Sequence, residues 1–219
     1  EQSLSKEGKW ILPRSKFVTL IDKLSAAGAK VVAFDIGFLE PDDRKVMHTI
    51  DSIRSRALEM PVQDKTFKQF LDNLELESDL DMQLANAMKQ SKAKIVLGHF
   101  FHMTNAGLKH VGKEEIKTHF ENVRNATHKL VRYSSAEAQQ VPLFEAVMPQ
   151  SNIPVVSKAT EYAGYFNMFP DRDGVVRWIP AVIKLGDILY APLSLMTLSA
   201  YLDQPLSVKV SDYGVEKLS

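Results

Sequence analysis

Apolar positions along the chain switch between two periods, and the switching marks out helices and strands in turn. Phe17, Leu20, Ile21 and Leu24 recur at helical spacing behind Ser15, a residue type that caps helix starts, and Gly28 is a fitting stop. Lys30 to Ile36 is then apolar on nearly every position, the pattern of a strand covered on both faces. Val46, Ile50, Ile53 and Ala57 mark one face of a helix over 43–60, and Asp64 is placed to cap a shorter helix carrying Phe67, Phe70 and Leu71. Ser78-x-x-Asp81 has capping-box spacing and opens a helix reaching about Met88. Lys94 to Phe101 is a second buried strand, and Ile116, Phe120, Val123, Thr127 and Leu130 share one face of a long helix. Residues 142–147 and 156–163 read as two short helical pieces. Strands over 165–169 and 175–185 are expected to join at Asp173-Gly174. Gly186-Asp187 turns the chain into Ile188–Tyr190, and Pro192 can open a last helix ending near Leu202.

Helices alternating with buried strands predict an α/β fold. The expectation is a three-layer α/β/α arrangement with a mixed, mainly parallel sheet and a C-terminal β-hairpin. Within it, 16–27 is a helix and 30–35 an interior strand parallel to 94–99. A helix feeding such a strand is the second half of a βαβ unit. Its first strand is expected upstream of Glu1, so the edge beside 30–35 is expected to be filled by a contact with another chain.

Residues 164–180 contain Gly164-x-x-Asn167, then Asp171-x-Asp173-Gly174-Val-Val-Arg177 and Pro180. Taken alone this is a tight turn, with Gly174 suited to positive φ, followed by a β-branched run. Trp10-Ile-Leu-Pro13-Arg14-Ser15, Ala27–Ile36, Phe38–Asp42 and the stretch from Asp79-Leu-Asp81 to Val96-Leu97-Gly98 accompany it in order. Together these blocks resemble the CHASE domain of the second type, the cyclase/histidine-kinase-associated sensory extracellular domain. The resemblance covers most of 8–42, 78–100 and 141–203, with 43–77 and 103–140 as insertions. It implies one extracellular sensor domain over 1–219, truncated at both ends and flanked by transmembrane helices outside this chain. It further implies a place on the periplasmic or extracellular side of the bacterial inner membrane. The cytoplasmic output it implies is an adenylate cyclase, histidine kinase or diguanylate cyclase.

Composition narrows the alternatives. The 219 residues carry 27 basic and 27 acidic side chains, so the electrostatic footprint of a nucleic-acid binder is missing. There is no cysteine, which excludes disulfides and thiolate metal sites. The most apolar run, Ala191 to Leu202, carries Ser194, Thr197 and Ser199 and is too short to span a bilayer.

Ligands in open α/β sheets sit beyond the carboxyl ends of the strands. The segments expected there supply Trp10, Arg14, Asp35, Glu40, Asp42 and His99 as candidates for binding an unknown small-molecule signal. Arg14 and Asp35 are placed to form an ion pair, more simply read as a loop-fixing bridge. His99 and His102 would point to opposite faces of a strand, so no metal site is expected. His48, His110, His119 and His128 are scattered singly and expected to be solvated. Asp171, Asp173, Gly174 and Arg177 form a structural turn. A calcium loop would need further oxygen ligands where Val175, Trp178 and Ile179 stand. No nucleophile elbow, phosphate loop or glycine fingerprint occurs, so neither catalysis nor a cofactor is expected. The alternatives are an α/β hydrolase-like enzyme and a structural dimerisation module without ligand. The amphipathic stretches 43–60 and 113–131 read as helices packed on the sheet or as homodimer surfaces.

Overall fold

A computed structural model describes residues 12–42, 45–59 and 64–219. The chain runs through helix α1 (Arg14–Ala26), strand β1 (Val31–Phe34), helices α2 (Lys45–Glu59), α3 (Lys65–Ser78) and α4 (Leu80–Gln90), strand β2 (Lys94–His102) and helix α5 (Lys113–Val123). Strands β3 (Leu130–Tyr133), β4 (Phe144–Glu145) and β5 (Met148–Gln150) follow, then helix α6 (Pro154–Ser157) and strand β6 (Tyr162–Tyr165). Strands β7 (Ile183–Leu185) and β8 (Ile188–Tyr190), helix α7 (Leu193–Leu202), and strands β9 (Ser207–Ser211) and β10 (Gly214–Leu218) complete it.

β2 is the axis of the central sheet. β1 pairs with it in parallel, Val31 opposite Lys94, and β6 pairs with it in parallel, Val96 opposite Tyr162. β5 joins antiparallel further along, Phe100 opposite Gln150. Side chains alternate across a strand, and the alternation builds three layers. Val32, Phe34, Ile95 and Leu97 pack against Ile21 of α1 and Leu84 and Met88 of α4. Val31, Val96 and Tyr162 turn the other way, onto Met196 and Ala200 of α7. The predicted parallel pairing is therefore present. Among the described residues β1 pairs with β2 alone, so it is the edge of the sheet, not its interior, and Ala33 is exposed.

Gly164 lets the start of α7 lie so close, and Gly98 makes room for the Phe166 ring and the Phe34 backbone. The two are register partners on β2 and β6. A Cβ on Gly164 would stand 2.6 Å from Leu193 Cα, and one on Gly98 would stand 2.6 Å from the Phe34 carbonyl oxygen. Both contacts are with backbone, so neither can be relieved by a rotamer change.

Two smaller sheets extend the core. One has the order β4-β7-β8, the other β10-β9-β3. Phe101, Val123, Tyr165, Ile183 and Tyr190 fill the space between the first of these and the central sheet. The Tyr165 hydroxyl donates to the Pro180 carbonyl, and burial pushes the phenol up.

Several elements depart from the apolar pattern, each because a distant strand wins. The long helix expected to reach Leu130 stops at Val123, since His128 N–H donates to Leu189 and 130–133 pairs in parallel with β9. Residues 142–147 are extended, with Phe144 opposite Ile183, and the helix expected over 156–163 ends at Ser157 so that 162–165 can join β2. Asp173-Gly174 does close a turn, with Gly174 at φ 81° and its N–H on the Asp171 carbonyl. It joins no strands, however. The hairpins stand instead at Gly186-Asp187, between β7 and β8, and before Gly214, between β9 and β10. Asp64 caps α3 as expected, its carboxylate accepting from Thr66 N–H at 2.8 Å. α1 begins behind Pro13, with Ser15 inside it, and α4 is capped by Asp79, which accepts from Met82 N–H at 2.9 Å. That leaves Asp81 free for a different role.

Candidate functional site: the two ends of the central sheet

At the carboxyl end of the parallel strands, Arg14 is almost wholly buried and its guanidinium is engaged on several sides. Nε donates to Asp81 Oδ1 at 2.9 Å, Nη2 donates to the Glu40 carbonyl at 2.7 Å, and the guanidinium carbon lies 4.8 Å from the Phe38 ring centroid. Arg14 N–H donates to Asp42 Oδ2 at 3.1 Å, and Asp42 N–H donates to Asp81 Oδ2 at 3.0 Å. The start of α1, the loop 38–42 and the first turn of α4 are thereby tied into one knot. The expected Arg14–Asp35 pair is not formed, because the partner is Asp81. A buried cation needs a buried anion, and Asp81 is 3% exposed whereas Asp35 is open to solvent. Of the other candidates, Glu40 contributes its backbone carbonyl while its side chain is exposed, and Trp10 lies outside the described residues.

His99 lies deeper at the same end. It is 1% exposed, and among the described residues neither ring nitrogen has a hydrogen-bond partner. Burial alone lowers its pKa to about 3, so the ring is neutral. It borders a small cavity, about 10 Å³, shared with Asn122, Ser151, Asn152 and Ser157. Asn152 locks this floor, its Oδ1 accepting from Phe38 N–H at 2.6 Å and its Nδ2 donating to the Gly98 carbonyl at 2.9 Å.

His119 and His128, expected to be solvated, are both buried, and desolvation lowers both pKa values. They sit inward because α5 and the segment after it pack against β5 and β8. His48 and His110 are exposed. His119 Nδ1 is 2.9 Å from Ser151 Oγ, and its Nε2 is 3.8 Å from Glu115 Oε1. A Ser–His–carboxylate row invites comparison with hydrolases. Here Ser151 is 2% exposed, donates to the Asn152 carbonyl at 2.9 Å and accepts from Asn122 Nδ2 at 3.0 Å. A nucleophile must meet its substrate, and this hydroxyl faces the core.

The turn motif is a clasp. Arg177 donates to Asp171 at 2.7 Å and to both oxygens of Asp173 at 3.0 and 2.7 Å. The guanidinium holds the Asp173 carboxyl below its usual range. Trp178 Nε1 donates to Asp171 at 3.2 Å, and its ring stacks on Phe169 at 5.7 Å. Both carboxylates are thus spent on Arg177 and its neighbours.

The amino end of the same strands is open. A cleft of about 550 Å³ lies there, bounded by Arg124 and Lys129 between α5 and β3, by Glu161 and Tyr162 at the start of β6, and by Asp203 to Leu206 between α7 and β9. It lies at the opposite edge from the strand carboxyl ends, where the sequence candidates were expected to gather. Its walls depend on the β3–β9 pairing, which no local spacing reveals. Among the described residues no three or more His, Asp or Glu are grouped to hold a metal ion, and no helix is long and apolar enough to cross a membrane.

No curated protein and no solved structure matches the chain. The family model of the CHASE2 domain matches residues 1–217, essentially the whole chain. The chain belongs to that family, whose members are sensory extracellular domains of signalling receptors.

Proposed function

We propose that this CHASE2 domain is the ligand-responsive part of a bacterial membrane receptor, held on the periplasmic side of the inner membrane by flanking transmembrane helices. The receptor's cytoplasmic output is a cyclase, histidine kinase or diguanylate cyclase. The observation that supports a ligand-biased mechanism is the position of the amino-end cleft. One wall, Tyr162 and Met196, belongs to the central sandwich, and the other, Lys129 and Leu206, leads into the paired strands β3 and β9. A ligand touching both walls binds one relative placement of them better than another, and that difference in affinity is what shifts a conformational equilibrium.

The test is a receptor carrying this domain, assayed in membranes for its output against a small-molecule library, alongside thermal shift of purified 1–219. Binding to the native state raises the melting temperature. The expected result is at least one compound that raises the melting temperature and changes the output. An output indifferent to every compound that stabilises the domain refutes the reading. Purified 1–219 should turn over no ATP.

A dimerisation role is the second reading. It is favoured by Val46, Ile53 and Leu58 of α2 and Phe70 and Leu76 of α3, all exposed on one helical hairpin. Phe70→Lys with Leu76→Lys should reduce self-association in light scattering if that face is used, and leave it unchanged if it is not.

A further inference from the structure

We infer that the amino-end cleft takes a small ligand bearing two carboxylates and one ammonium group, an acidic α-amino acid or a short peptide containing one. The inference rests on the sensory reading for its biological role, but its chemistry comes from the cleft itself.

The charges on the rim divide into two kinds. Asp203 is already matched, with Lys94 Nζ 2.5 Å from its Oδ1 and the same ammonium 5.6 Å from the Tyr162 ring centroid. Arg124, Lys129 and Glu161 have no side-chain hydrogen bond or ion pair among the described residues. The cleft therefore offers two unmatched cations and one unmatched anion. A molecule with two carboxylates and one ammonium is the charge inverse of that set. Complementary charge of this kind selects partners and rejects like charge.

The remaining lining suits the same class. Asn125, Thr127 and Gln204 add neutral donors and acceptors, while Met196 and Leu206 form a buried apolar floor. The Ser199 hydroxyl is spent on the Gln204 carbonyl, at 2.5 Å, and so fixes the loop that closes the cleft. The volume of about 550 Å³ falls inside the range of small-molecule sites, roughly 300–1,000 Å³. A free amino acid would leave room for water or for a second residue. Arginine can grip a carboxylate in bidentate fashion, and Glu161 accepts from an ammonium. Because these groups face solvent, the attraction is screened and binding should weaken with added salt.

Isothermal titration of purified 1–219 provides the test, with L-glutamate, glutarate and putrescine as probes. L-glutamate should bind, glutarate more weakly, and putrescine not detectably. Arg124→Gln should weaken L-glutamate about tenfold, and Glu161→Gln should remove the preference over glutarate. Both substituted side chains are exposed, and melting curves of the variants check that folding is intact. No binding of L-glutamate or of a glutamate-containing dipeptide at roughly 10 mM overturns the inference. So does binding that neither substitution changes. If another compound stabilises the domain and alters receptor output while these probes fail, the ligand class falls and the sensory reading survives. If L-glutamate binds as described but receptor output ignores it and every other stabilising compound, the ligand class stands and the sensory reading falls.

Discussion

Arg14 and Arg124 both stand at an edge of the central sheet, at opposite ends of its parallel strands, and they sit in different physical regimes. Arg14 is buried, paired to Asp81, bonded to the Glu40 carbonyl and faced by the Phe38 ring. Arg124 is exposed on the wall of a cleft. A charge taken out of water must be neutralised and hydrogen-bonded within the fold, and once that is done nothing remains to offer a ligand. A charge left in water can exchange its hydration for a ligand at little cost. The end of the sheet where fold-level rules place a ligand is the end that the chain has tied shut.

The contrast can be broken most sharply at the buried pair. Asp81→Ala strands the Arg14 cation and should destabilise the protein by about 3–5 kcal/mol in chemical denaturation. Replacing both members, as Arg14→Met with Asp81→Leu, should recover part of that loss, because no lone buried charge is left.

Acid is the next lever. His99, His119 and His128 are held neutral by burial, with pKa values below those of the unfolded chain. The unfolded state therefore takes up protons first as pH falls below about 6.5, so their contribution is complete above that pH and declines toward pH 3. His99 alone should cost about 2 kcal/mol of stability by pH 5. Denaturation midpoints at pH 7, 6 and 5 check the slope, and His99→Leu should flatten it.

Gly164→Ala probes how closely α7 lies on the sheet. Its Cβ would meet backbone at Leu193, so a loss of about 1–3 kcal/mol is expected in the same assay. The smallest effect belongs to the open end. Lys94→Ala removes an ion pair whose partner Asp203 is exposed, and it should leave the thermal midpoint where it was.

What the residues disclosed in advance follows the same division between local and distant causes. The pairing of 31–34 with 94–97 was legible because both runs are apolar at successive positions. The caps of α3 and the turn at Asp173-Gly174 were legible because their chemistry is local. Asp64 reaches Thr66, and Gly174 reaches Asp171. The strands at 130–133 and 144–145 were not, since each is extended only where a strand from much later in the chain lies beside it. The cleft was hidden for that same reason. In the sequence Asp81 stands out only as a helix-start residue. Its bond to Arg14 spans 67 positions, and no pattern inside one helix announces it.

The isolation of the His99 ring has a practical side. Imidazole-modifying reagents act on the accessible neutral base, and here both nitrogens are neutral but out of reach. His48 and His110 should be consumed early, whereas His99 can react only in molecules whose layers have parted. The slow phase of histidine labelling thus becomes a clock for the breathing of this core, readable by mass spectrometry without any introduced probe.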